Sequence, residues 1–170
     1  MKPLLEVTVG ELLKESTKKF GHQEAVIYSE QNIRYTYAEF YQETSRVAKA
    51  LLATGLKKGD HIAIWATNVP EWLLLQFAAA RIGAVLVTLN TSYQSSELEY
   101  VLRHSDTAAL FFIDEFKSTS YTSIITGIEH NLPNLKHLIN LSESSEHTSW
   151  NEFLMSSSMV SDEVLDKYEQ

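Results

Sequence analysis

The sequence predicts an α/β protein built on an open, mostly parallel sheet layered with helices, and three observations predict it. Four short runs, residues 61–66, 84–89, 108–113 and 137–141, are apolar almost without interruption, as strands covered on both faces must be. Their starts recur about every 25 residues, the spacing of successive strand-helix units. Stretches with helical apolar spacing and capping residues lie between them. The period is architectural and marks no sequence repeat.

The elements follow in order. Thr8 and Glu11 have the form of a capping box, opening a helix with Val9, Leu12, Leu13 and Phe20 on one side that stops at Gly21. Residues 25–28 and 33–35, separated by Ser29-Glu30-Gln31-Asn32, read as a hairpin. A second box, Thr36 with Glu39, starts a long helix whose apolar face includes Tyr37, Phe40, Tyr41, Val47, Ala48, Leu51 and Leu52, ending before Gly55. Lys57-Lys58-Gly59-Asp60 then turns the chain into the strand at 61–66.

Asn68, with Glu71 three residues on and Pro70 in the first turn, is expected to cap the next helix. That helix, running through Trp72 to Ala80, is apolar nearly all round and should be largely buried. Gly83 ends it. Ser96 with Glu99 is expected to cap the helix bearing Leu98, Val101 and Leu102, and a weaker helix is expected over 118–130. From 142 to 170 the chain carries seven acidic residues, one cation and a serine run at 156–158. It reads as an acidic, Ser-rich connector after an α/β unit at 1–141, poorly ordered toward Gln170 apart from a short amphipathic piece at Trp150, Phe153 and Leu154.

Composition excludes several function classes. With 14 basic against 22 acidic residues and a net charge of -8, the chain has no cation surplus to neutralise a phosphate backbone, so nucleic acid is an unsuitable partner. There is no cysteine, which removes disulfides, thiolate metal sites and cysteine nucleophiles and fits a reducing compartment. The N-terminus lacks an apolar run and a small-residue cleavage site, so it is not read as a signal peptide. No transmembrane segment is expected, because the most apolar stretch is far shorter than the ~20 residues a span needs. A cytoplasmic protein is the expectation.

A parallel sheet of this kind suggests nucleotide binding at the carboxyl ends of its strands. The six glycines, at 10, 21, 55, 59, 83 and 127, supply neither the G-x-G spacing of a dinucleotide loop nor a P-loop. Gly55 and Gly59 are better read as turn punctuation. The histidines, His22, His61, His104, His130, His137 and His147, include no helical metal pair. His104-Ser105-Asp106 has triad residue types, yet adjacent residues cannot converge in triad geometry. Glu71-Trp72 reads either as a functional acid beside an aromatic anchor or as a helix first turn with a core tryptophan. The polar stretch Asn90-Thr91-Ser92-Tyr93 leaves a strand at its carboxyl end, the edge where ligands collect on such sheets.

Taken in order, Thr36-Tyr37 with Glu39, Ala48, Leu51, Gly55, Gly59-Asp60, Asn68, Glu71-Trp72, Gly83-Ala84, Asn90, Tyr93 and Glu97-Leu98 form a string. That string resembles the N-terminal portion of the adenylate-forming, AMP-binding superfamily of acyl-CoA synthetases and related ligases. The likeness spans about residues 8 to 141. Ile64-Trp65-Ala66-Thr67-Asn68 and Asn90-Thr91-Ser92-Tyr93-Gln94 look most like the bacterial medium- and long-chain fatty acyl-CoA ligases. Thr91, where many relatives carry proline, and His61, where many carry Arg or Lys, are departures that bear on acyl specificity rather than on family.

The resemblance implies a two-step ligase. A fatty carboxylate attacks the α-phosphate of Mg-ATP to give acyl-adenylate and pyrophosphate, and the CoA thiol then displaces AMP. Such a step needs a Ser/Thr/Gly-rich loop with a lysine to hold the phosphates, and in this superfamily that loop follows the region matched here. The chain reaches Gln170 without it, so no catalytic, cofactor-binding or metal-binding residue can be carried over. The expectation is therefore an incomplete N-terminal subdomain, inactive alone. ATP, Mg, CoA and fatty acid belong to the full-length enzyme, and the rest of its own chain is the partner. An apolar face or sheet edge left uncovered would promote self-association. Two other readings compete: a self-contained flavodoxin-like binding module with a ligand at the strand ends, and a protein-interaction domain with a large apolar patch.

Overall fold

The computed structural model describes residues 6–142 and 146–169. The start of the chain read for a signal peptide, and Glu143 to Ser145 and Gln170 of the expected connector, lie outside them. Thr8 caps α1 (Val9–Phe20): Glu11 N donates to its hydroxyl at 3.1 Å, and Thr8 N donates to the Glu11 carboxylate at 2.7 Å. The antiparallel hairpin β1 (Glu24–Tyr28) and β2 (Ile33–Thr36) runs into α2 (Tyr37–Ala53), which Thr36 and Glu39 cap in the same reciprocal way.

The main sheet then forms as expected. β3 (His61–Trp65), α3 (Pro70–Ile82), β4 (Val85–Thr88), α4 (Ser95–His104) and β5 (Ala109–Phe112) alternate, and α5 (Tyr121–Ile128) leads to β8 (His137–Asn140). Between β5 and α5 sits an unanticipated two-stranded hairpin, β6 (Glu115–Phe116) and β7 (Thr119–Ser120), with positive φ at Lys117 and Ser118. A fifth strand, β9 (Thr148–Ser149), completes a wholly parallel sheet of order β4-β3-β5-β8-β9. Counted along the chain this is 2-1-3-4-5, the flavodoxin-like order.

Alternation along the central strands explains their unbroken apolarity. Ile62, Ile64 and Phe111 face a core closed by α2, α3 and α6 (Trp150–Met155), where Leu51, Leu75, Ile82 and Phe153 are buried. Ala63, Trp65, Leu110 and Phe112 face a second core under α4 and α5, with Leu98, Leu102, Tyr121 and Ile125. Each large side chain so buried stabilises the fold by about 1.5–3 kcal/mol. The expected all-apolar helix is α3, with Leu74, Leu75, Ala78, Ala79 and Ile82 buried and Gln76 exposed.

Several local expectations are corrected. Val69, not Asn68, is the N-cap residue of α3, with no side-chain cap because valine carries no polar side-chain atom, and Trp72 N donates instead to the Val69 carbonyl at 3.1 Å. α4 begins earlier than Ser96 suggests: Gln94 is its N-cap residue, and its amide donates to Glu97 at 3.0 Å. The helix expected over 118–130 is shorter, and a 3₁₀ turn at Glu129–Asn131 follows it. On α1, Leu13 is buried, whereas Val9, Leu12 and Phe20 are nearly half exposed.

The largest difference concerns 146–169, read as a polar connector with a short amphipathic piece at Trp150, Phe153 and Leu154 and poor order toward Gln170. β9 pairs with β8, Trp150, Phe153 and Leu154 enter the first core, and α7 (Asp162–Tyr168) docks through buried Leu165. Three of the acidic residues that suggested solvation are matched across space: Asp162 to Lys49, Asp166 to Lys14, and Glu169 to both Lys14 and Arg81. Composition counts charge along the chain and cannot see such pairing.

Candidate functional site

β3 and β5 are neighbours in the sheet, and the helices that follow them pack on opposite faces, α3 in the first core and α5 in the second. The crevice at their carboxyl ends is the switch point where doubly wound sheets place ligands. Ile113 N donates to Trp65 O at 3.4 Å, holding the two strands together to their ends.

One wall is the stretch 90–93. Trp65, fully buried, donates from Nε1 to the Asn90 carbonyl at 2.9 Å, and Tyr121, also fully buried, donates its hydroxyl to the Thr91 carbonyl at 2.7 Å. The two rings stack with centroids 3.5 Å apart and planes 3° from parallel. Asn90 turns the loop itself, its Oδ1 accepting from Ser92 N at 2.9 Å. The other wall joins β5 to β8. Asn140, fully buried, donates to Asp114 Oδ1 at 2.5 Å and accepts from Ser142 N at 2.8 Å.

A phosphate would require free backbone amides in a wide turn. After β3 the chain offers Thr67, exposed Asn68 and Val69, whose amide already donates to Thr67 O at 2.9 Å. After β5 it offers the Asp114 carboxylate. Neither connection, residues 66–69 or 113–114, carries a glycine or a cation.

Glu71 lies in the first turn of α3, and burial pushes its carboxyl up from the ordinary value. It enters no ion pair among the described residues. Burial raises the Tyr28 and Tyr35 phenols of the neighbouring hairpin, and the Glu71 charge adds to both shifts. Tyr28 donates to the Val69 carbonyl at 3.2 Å, tying hairpin to helix. Trp72 is half buried against the first core, the packing role of the two considered for it.

The remaining candidates do not assemble. His104 stacks on Tyr100 at 5.5 Å, Ser105 donates to the Val101 carbonyl at 2.7 Å, and Asp106 accepts from Asn134 at 2.9 Å. His61 Nδ1 bonds the Ser105 carbonyl. Among the described residues no group of three His, Cys, Asp or Glu lies together as metal ligands, and no helix is long and apolar enough to cross a membrane. Gly55 and Gly59 occupy turns at φ 86° and 88°.

Sequence reasoning found the 90–93 loop and missed what holds it, Trp65 and Tyr121, along with the Asn140–Asp114 bond. A signal existed: a buried Trp or Tyr needs a partner for its N–H or O–H, and the polar carbonyls of a strand-end loop are the nearest supply.

Comparison with known proteins gives one consistent result. Residues 13–165 match the family of AMP-binding enzymes. An acyl-CoA synthetase of Bacillus subtilis, described as putative and named YngI, is 48% identical over 128 residues, which is 75% of this chain and 23% of that protein. The mitochondrial medium-chain acyl-CoA ligase ACSF2 of Danio rerio is 39% identical over 72% of this chain and 20% of its own length. The chain thus spans about a fifth to a quarter of these curated relatives. Among solved structures, a long-chain-fatty-acid CoA ligase of Rhodopseudomonas palustris, described as putative, superposes with a TM-score of 0.78 at 23% identity, over 89% of this chain and 37% of that one. The anthranilate CoA ligase AuaEII, in complex with anthranoyl-AMP, gives 0.77 at 22%, over 90% and 28%. At such identities these two show the fold alone.

Proposed function

The chain belongs to the family of AMP-binding enzymes, and on that premise we propose that it is the N-terminal α/β part of a fatty acyl-CoA ligase. The observation that carries this reading is the pairing of two extents. The family match runs through nearly the whole chain, at 13–165, yet the chain spans only 23% of its Bacillus relative. Its contribution is scaffolding: a parallel sheet packed on both faces, with a rigid loop at 90–93 and an acidic strand end at Asp114.

In this reading a fatty carboxylate is activated by Mg-ATP as acyl-adenylate, and CoA then takes the acyl group. The phosphate-holding loop and its lysine come from sequence outside these residues, so the chain alone neither adenylates nor binds ATP tightly. A medium- or long-chain acid is the substrate in this reading, supported by the medium-chain description of the relative at 39% identity. A cytoplasmic location goes with this reading, and cell fractionation tests it. Self-association follows from the exposed Val9 and Leu12 of α1 and Val85 of the edge strand. A monodisperse monomer in light scattering would count against it.

The function is tested by pyrophosphate exchange with ATP and fatty acids of varied length. Background exchange is expected for this chain alone, and fatty-acid-dependent exchange once it is continued by the rest of its reading frame. Robust exchange by the chain alone would sink its proposed incompleteness, and a continued enzyme indifferent to fatty acids would sink the substrate class.

A further inference from the structure

Arg81 is the most deeply buried charge of the described residues: its side chain is 2% exposed, at the end of α3. Its guanidinium is fixed largely by uncharged groups. Nη1 donates to the Tyr41 carbonyl at 3.1 Å, Thr44 Oγ1 at 3.0 Å and Ser45 Oγ at 2.8 Å, and the group lies 4.2 Å from the Tyr41 ring centroid. α1 clasps the stem, since a Cβ on Gly10 would stand 3.1 Å from Arg81 Cγ. None of these neighbours neutralises the charge. Nε points into a niche where Lys14 Nζ also arrives, and both donate to the Glu169 carboxylate, at 2.5 Å and 3.1 Å.

We propose that the Arg81–Lys14 niche is a carboxylate-binding site filled in cis by Glu169, and that this occupancy makes α7 a releasable strap which a free carboxylate can replace. The Arg81 half of the seat is built without α7, because α1, α2 and α3 hold its guanidinium, while Lys14 arrives from α1 and pairs with Asp166 and Glu169. The strap, by contrast, has few anchors. A seven-residue helix is not stable on its own. Besides Leu165 and Glu169 it has, among the described residues, the Lys49–Asp162 and Lys14–Asp166 pairs, whose carboxylates are 81% and 63% exposed and so worth little. Emptying the niche leaves the buried Arg81 charge without its carboxylate, and an uncompensated buried charge is strongly unfavourable. A planar carboxylate fits it because guanidinium and ammonium already point at its two oxygens. This inference does not depend on the ligase reading.

The test is amide hydrogen exchange across 162–168 in the 170-residue chain. Glu169→Ala is expected to speed exchange there by a factor of about ten to a hundred, the loss of a hydrogen bond between charged groups, while β3 and β5 keep their protection. Sodium formate should restore protection to Glu169→Ala where sodium chloride at equal ionic strength does not. Glu169→Gln, which fills the hole without charge, should loosen α7 yet ignore formate. Asp162→Ala should change exchange far less. Unchanged exchange in Glu169→Ala, or equal effects of formate and chloride, overturns the proposal. Should Glu169→Ala lose its fold, formate-specific recovery of its thermal transition replaces the exchange readout, and failure to recover, with Glu169→Gln as protected as the parent, overturns it equally.

Discussion

Trp65 and Tyr121, 56 positions apart in the chain, stack at 3.5 Å and together hold the carbonyls of Asn90 and Thr91. The stack converts a polar loop into a fixed wall at the strand ends. Tyr121→Phe keeps the ring and removes the hydroxyl, leaving the Thr91 carbonyl without that donor. A loss of about 1 kcal/mol is expected, read as a lower urea midpoint with unchanged slope. A variant as stable as the parent would show that the hydroxyl holds nothing.

Gly83 ends α3 at φ 71°, and a Cβ there would stand 2.8 Å from Lys58 Cγ. Gly59 has φ 88° with nothing within 4 Å of such a Cβ. Alanine at either position carries the left-handed penalty of about 1 kcal/mol, and at Gly83 a steric cost is added. Gly83→Ala should therefore destabilise more than Gly59→Ala, and Lys58→Ala should recover the difference in the Gly83→Ala background but not in the other. Equal losses for the two glycines would remove the role given to Lys58.

The sheet was legible because each central strand is covered on both faces, so that Ile62 and Ala63 both had to be apolar although they serve different cores. Caps written in consecutive residues, Thr8 with Glu11 and Thr36 with Glu39, were equally plain. What stayed hidden depends on pairing across distance. Asp162, Asp166 and Glu169 look like a solvated run until Lys49, Lys14 and Arg81 are placed opposite them. At the candidate site the loop at 90–93 was visible as polar residues after a strand, whereas Trp65 and Asn140 looked like ordinary strand residues. Their roles rest on Tyr121 and Asp114, which belong to other strand-helix units.

Glu71 is a half-buried carboxylate whose pKa burial raises, with its own backbone hydrogen bond opposing the shift. A raised folded-state pKa means the protonated form suits the fold better. The stability it brings is present below the ordinary carboxylate pKa and is lost as pH rises through the folded value. Glu71→Gln removes that titration while keeping the shape. Its melting temperature should exceed the parent's at pH 7, with the gap closing as the pH falls to about 4. A gap that widens toward acid would show that the charge stabilises the first turn of α3 more than burial penalises it.

Asn140 sets the last prediction, since it donates to Asp114 at 2.5 Å while accepting from Ser142 N at 2.8 Å, inside a site with no exposure of its own. Asn140→Asp preserves the volume and the acceptor for Ser142 but replaces the donor with a second carboxylate facing the first. Two carboxylates sharing a site cannot both ionise cheaply, so one pKa rises. At pH 7 the variant should lose about 2 kcal/mol, combining the lost hydrogen bond with repulsion. As the pH falls toward the raised pKa, a shared proton restores a donor between the two oxygens, and the deficit should shrink. Denaturant midpoints at pH 7 and pH 5 separate the two contributions. A deficit equal at both would mean that repulsion contributes nothing, and that the Asn140 amide acts as a donor alone.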